Sequence, residues 1–103
     1  MIFALSTDDR TLTAFPTEAD AIAYCEGVDV EDGVWLFFAS DGKPLAPRFT
    51  TANRHGLFSV VSGSYVLDPA SSGVHLRDVL KGVAAVDGLE FTCTDDVRRH
   101  LDG

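Results

Sequence analysis

Residues 17–41 read TEADAIAYCEGVDVEDGVWLFFASD, and their reading decides the fold. Thr17 is placed to cap a helix, because its hydroxyl can accept from the amide of Asp20. Asp20 occupies the capping-box position, although Glu or Gln reaches back better. Glu18 and Asp20 fall in the first turn, where the helix dipole favours negative charge. Ala19, Ile22, Ala23 and Glu26 follow helical spacing and predict a short buried stripe of small residues. Gly27 then offers a left-handed C-terminal position. An acidic connector leads to Val34-Trp35-Leu36-Phe37-Phe38-Ala39, apolar on both alternating faces, which predicts a central strand covered on both sides. Asp41-Gly42 follows as a hairpin turn.

Working outward, Ile2–Leu5 and Thr11–Phe15 flank a polar run and predict a β-hairpin with its tip near Asp8, ended by Pro16. Beyond the Asp41-Gly42 turn, residues 44–50 are extended. Pro44 and Pro47 cannot donate to a ladder, which predicts an edge strand at best. Residues 51–56 (TANRHG) read as a loop and Leu57–Leu67 as strand, interrupted at Ser62-Gly63-Ser64 by either a bulge or a tight turn. After the loop Asp68–Gly73, the stripe Leu76, Val79, Leu80, Val83 predicts a helix over His75–Ala84. Asp87-Gly88 reads as a turn and Leu89–Cys93 as a short strand. Thr94 caps a last helix with acids at its start and Arg98, Arg99 and His100 at its end, the order the dipole favours. Hairpins between helices without a βαβ rhythm predict an α+β fold: one domain over residues 1–103, a mainly antiparallel sheet with two or three helices packed on it.

The chain has 103 residues, 46% of them hydrophobic and 23% charged, which suits a folded domain with a core of its own. Its formal net charge is −8. That charge argues against nucleic-acid binding, which needs Lys and Arg to displace counterions, and it suits a partner with a basic surface. Cys25 and Cys93 have no CxxC or metal spacing; two reduced thiols in a cytosolic protein is the simplest reading, although the spacing also permits a bridge. The start MIFALSTDDR lacks a basic n-region, and no run approaches membrane-spanning length, so a cytoplasmic protein is expected.

Chemistry is sparse. No GxGxxG, P-loop, HExxH or GxSxG motif is present, the acidic connector is too short for a calcium loop, and no cofactor or metal is expected. His55, His75 and His100 show no metal-ligand spacing, and a Ser, a His and an Asp occur in almost any chain of this length, so no enzyme is expected. The acids stand out instead. No basic residue lies between Arg10 and Lys43, whereas Glu18, Asp20, Glu26, Asp29, Glu31, Asp32 and Asp41 do. Unpaired carboxylates repel one another unless a positive surface meets them. A solvated face that serves solubility accounts for the same charges. Asp29, Glu31, Asp32 and Asp41 are the candidate contact residues, with Tyr65 beside Gly63 as a candidate aromatic anchor. The rival sites are a ligand or catalytic pocket near Arg54 and His55, and an apolar patch of a structural adaptor.

The blocks AYCEGVDVEDGVW, SDGKPL and SVVSGSYVL, within about Phe15 to Leu67, resemble small acidic immunity proteins of bacterial contact-dependent growth inhibition and polymorphic-toxin systems. The resemblance implies a cytoplasmic protein that binds and blocks the toxic C-terminal domain, often a nuclease, of a cognate effector. It assigns no contact residue.

Overall fold

The computed structural model describes residues 1–56 and 60–103. Strands β1 (Ile2–Ser6) and β2 (Thr11–Phe15) come first, followed by helices α1 (Glu18–Tyr24) and α2 (Gly27–Glu31). Strands β3 (Trp35–Ala39), β4 (Pro44–Thr51), β5 (Arg54–His55), β6 (Val60–Val61) and β7 (Ser64–Pro69) form the middle of the chain. It ends with helix α3 (Leu76–Val79), a 3₁₀ turn (Leu80–Gly82), strand β8 (Ala85–Asp87) and helix α4 (Thr94–Asp102). Six strands make one sheet in the order β7-β4-β3-β1-β2-β8. Every pairing in it is antiparallel except β2 with β8. The fold is α+β.

Helices cover both faces of this sheet, and the alternation within each strand feeds two cores. Phe3, Leu5, Leu12, Ala14 and Phe38 meet Leu76, Leu80 and Val97 from α3, the 3₁₀ turn and α4. Ala4, Phe15 and Phe37 meet Ala21, Cys25 and Val30 from α1 and α2, together with Tyr65 and Leu67. β1 runs through the centre, paired with β2 on one side and β3 on the other, and Phe3, Ala4 and Leu5 are all buried. β3 is an interior strand as expected, with Phe37 in one core and Phe38 in the other. Its Leu36 remains exposed, in the lining of a cleft over β3 and β4.

Several expectations need correction. α1 ends at Tyr24, and the supposed connector is itself the short helix α2. The buried side of α1 is carried by Ala21, with Ile22 half-buried and Cys25 buried after it; Ala19, Ala23 and Glu26 face solvent. Thr17 caps α1 by accepting from the Asp20 amide at 3.1 Å, while the Asp20 carboxylate takes the Thr17 hydroxyl at 2.9 Å instead of closing a capping box. Gly27 opens α2. Space is what requires it there: a Cβ would lie 2.7 Å from Asn53 Oδ1. The left-handed glycine is Gly33, with φ of 79°, just after α2.

β4 is interior, with β3 on one side and β7 on the other, despite its two prolines. Pro44 is the first residue of the strand, and its carbonyl still accepts from Ala70 at 3.1 Å. Pro47 stands opposite Leu67. The Leu67 amide points to the outer edge of β7, where it donates to Glu18 Oε1 at 3.2 Å. Pro47 therefore faces the β3 side, where pairing with β3 has already stopped at Leu45. Its missing N–H falls where no partner waits.

The expected loop 51–56 contains β5, which pairs with β6 as a small ladder. Ser62 and Gly63 are the passage from that ladder to β7, so neither of the two readings offered for them holds. The bulge lies on the facing strand, between Phe49 and Thr51. Leu57 and Phe58, expected in the strand, lie outside the described residues. The helix expected over His75–Ala84 is one α turn and a 3₁₀ turn. The last strand is Ala85–Asp87, parallel to β2, and Leu89–Cys93 is a turn and an extended link instead. Cys93 occupies the cap position of α4, one residue before the expected Thr94. Cys25 and Cys93 are both free, the first buried and the second exposed.

Candidate functional site: an acidic end built on α2

Asn53 fixes α2 from the side. Its Nδ2 donates to the Gly27 carbonyl and to Glu31 Oε2, each at 3.0 Å, and its Oδ1 accepts from the Gly63 amide at 2.6 Å. Glu31 also lies 3.4 Å from His55 Nε2. Asp32 caps the C-terminus of α2, its N–H directed to the carbonyls of Val28 and Val30, and is exposed. The exit from α2 is stitched to the β1–β2 turn: Thr7 Oγ1 donates to the carbonyls of Gly33 and Val34, each at 3.0 Å, and the Thr7 amide donates to Val34 at 2.7 Å. This brings exposed Asp8 and Asp9 to the end of the molecule that carries Asp32. The sequence separates these groups by more than twenty residues; the signal that links them is Thr7 preceding the acids in a turn next to a central strand. Asp9 accepts from the Thr11 amide at 3.0 Å, and this bond with help from Ser6 holds its carboxyl below the usual range.

Six of the eight bases are engaged elsewhere, and Arg54 and Lys81 have no ion pair among the described residues. Arg10, next to Asp9 in the chain, donates to the Gly82 carbonyl. Lys43, Arg48, Arg77, Arg98 and Arg99 pair with Asp41, Asp68, Asp102, Asp95 and Asp96. Among the described residues no Lys or Arg pairs with Asp8, Asp9, Asp20, Glu26, Asp29 or Asp32.

Of the expected contact residues, Asp29, Glu31 and Asp32 share α2 and its cap. Asp41 is apart from them. It sits in the β3–β4 turn, accepts from the Lys43 amide at 3.0 Å, and lies 3.8 Å from Lys43 Nζ. β3, roughly 17 Å long at ~3.4 Å per strand residue, runs between it and Asp32. Tyr65 is no surface anchor. It is 4% exposed, its ring lies against Phe37 and Phe49, and its hydroxyl donates to the Cys25 carbonyl at 2.6 Å. Burial raises its pKa, and burial, with the charge of Asp29 adding, pushes the Cys25 thiol up to about 12. The exposed tyrosine is Tyr24, 64% open, its ring tilted against Phe15 and edge-on to Trp35, with ring centroids 5.5 and 5.9 Å away. It shares a side of α1 with Asp20, one turn earlier. Its position off the buried stripe is the sequence signal that marks it.

Arg54 and His55 are both exposed on β5. Two clefts open elsewhere, one of about 670 Å³ against α4 and one of about 450 Å³ over β3 and β4, and neither is lined by Arg54 or His55. His75 and His100 tie helices to the β3–β4 turn. His75 Nε2 is 2.9 Å from the Asp41 carbonyl and His100 Nε2 is 2.9 Å from the Ser40 carbonyl. Among the described residues no group of three or more His, Cys, Asp or Glu is arranged to hold a metal, and no helix is long and apolar enough to cross a membrane. Comparisons of the chain with protein-family models, with curated proteins and with solved structures found no match.

Proposed function

We propose that this protein is an immunity protein, which binds the toxic domain of a cognate effector and occludes a basic, phosphate-gripping active site such as that of a nuclease. One observation carries the reading. Residues 11–42 hold seven of the sixteen acids and none of the eight Lys and Arg, and the acids that α2 and the β1–β2 turn gather at one end have no Lys or Arg partner among the described residues. Carboxylates left without partners raise the local negative potential, which speeds encounter with a basic surface and aligns it. Tyr24, exposed on the side of α1 that carries Asp20, supplies a rigid aromatic surface of the kind that carries binding energy at the centre of an interface. The resemblance in the segment Phe15 to Leu67 supports the same partner class.

The test reverses Asp29, Glu31 and Asp32 to Lys together and measures affinity for the cognate toxin domain, to be sought among the neighbouring reading frames. A loss of about a hundredfold or more is expected from three reversed charges at a steered interface. Affinity within about threefold of the parent would remove the charged-docking reading.

A further inference from the structure

Leu89 is a large apolar residue held in a costly place. Its backbone is left-handed, with φ of 52°, and the residue is 53% exposed. A glycine or asparagine would adopt this backbone with less strain, and a polar residue would suit the exposure. The corner holding it is rigid. Gly88 has φ of 95°, a Cβ there would lie 2.3 Å from the Ala14 carbonyl oxygen, and the Phe91 amide closes the turn on the Gly88 carbonyl at 3.2 Å. Strain kept at an exposed position points to a use for the side chain.

Leu89 stands at the rim of the cleft of about 670 Å³ against α4, within the size range of small-molecule sites. Met1 and Phe91 give the cleft an apolar floor, and Phe91 is fixed edge-on by Phe3 and His100, each with its ring centroid 5.4 Å away. Of the charged groups there, Asp96 is saturated: it accepts from the Thr92 amide and hydroxyl, both at 2.9 Å, and from Arg99 Nη2. Those bonds, the Thr92 amide first, hold its carboxyl down at about 2. Arg99 gives Asp96 one nitrogen and leaves the rest of its fork in solvent. Glu90 has no ion pair among the described residues. The cleft thus offers an apolar floor, a guanidinium with free donors and a separate carboxylate.

We propose that this cleft binds an α-amino acid with an aromatic or branched aliphatic side chain. The side chain lies on Phe91, Met1 and Leu89, the carboxylate meets Arg99, and the ammonium meets Glu90. The site lies on the α4 side of the sheet, opposite α1 and α2, and does not depend on the docking reading.

The test is an amide-resolved NMR titration of the full chain with L-phenylalanine, run beside 3-phenylpropionate, which lacks the ammonium, and phenethylamine, which lacks the carboxylate. L-phenylalanine is expected to shift the resonances of residues 88–91 and 96–100, and each truncated probe to bind at least about fivefold more weakly. Leu89→Gly is expected to melt no lower than the parent, because glycine relieves the left-handed strain, yet to bind at least about fivefold more weakly. Arg99→Gln should weaken L-phenylalanine while leaving phenethylamine unchanged. The proposal falls if L-phenylalanine moves none of these resonances up to about 10 mM, if the three probes bind equally, or if Leu89→Gly binds as the parent does.

Discussion

Tyr65 lies in the core beside α1 with its hydroxyl on the Cys25 carbonyl, whereas Tyr24, on the outside of that helix, is open to solvent. Tyr65→Phe keeps the packing and strands the buried Cys25 carbonyl, so urea unfolding should show a loss of about 1–3 kcal/mol. Tyr24→Ala should cost the isolated protein less than that and, if the proposed function holds, weaken binding of the toxin domain instead. Cys25 behaves as a core residue. Its thiol ionises near 9.0 when freely exposed and at about 12 in the fold. The folded state therefore holds the proton more tightly, and the stability this gives is whole below pH 9 and drains away between pH 9 and 12. Burial of Tyr65 acts in the same direction. Unfolding free energy should fall with pH above about 9, and Cys25→Ala should flatten the first part of that fall. A thiol reagent should modify Cys93 at once and Cys25 only on the timescale of unfolding, a difference that mass spectrometry reads directly.

At the scale of elements, glycine substitutions separate conformational strain from crowding. Gly33 and Gly42 both have left-handed φ, 79° and 88°. A Cβ at Gly33 meets nothing within 4 Å, whereas one at Gly42 would lie 2.2 Å from His75 Cε1. Gly33→Ala should cost about 1 kcal/mol and Gly42→Ala at least about 3, measured by chemical denaturation. Gly42 also accepts the Leu76 amide at 2.8 Å, so its substitution should loosen α3 together with the turn. The β1–β2 hairpin, β3, the Asp41-Gly42 turn and α4 were legible in the sequence, because each rests on local signals: alternation, a turn dipeptide, charges ordered along a dipole. What eluded it depends on distant partners. Pro44 and Pro47 read as edge residues until the end of β3 pairing and the outward Leu67 amide are known. β8 has only three residues, and only its parallel partner β2 makes it a strand. Gly27 read as a helix cap because nothing nearby in sequence announces Asn53 against it.

For the whole molecule, the separation of charge is the dominant feature. Under the proposed function, association with a basic toxin domain should slow by at least about tenfold as ionic strength rises from 0.05 to 0.5 M, while dissociation changes far less, which stopped-flow mixing measures. Of the acidic site, the part on α2 was visible as a run of acids without bases. The contribution of Asp8 and Asp9 was not, since it arises from Thr7 binding Gly33 and Val34 across the fold. Asp41 appeared to belong by charge and is set apart from the α2 acids by the span of β3. Tyr65 appeared available by residue type and is consumed by the core.

The bond from the Leu67 amide to Glu18 has a consequence for recognition. With that donor occupied, and with Pro69 bringing none of its own, the flank of β7 is a poor template for an incoming strand. The opposite flank, on β8, is only three residues long. The six-stranded sheet consequently offers little backbone for another chain to zip onto, so recognition along its edges would fall to side chains, and specificity there can change by surface substitution while the sheet stays as it is.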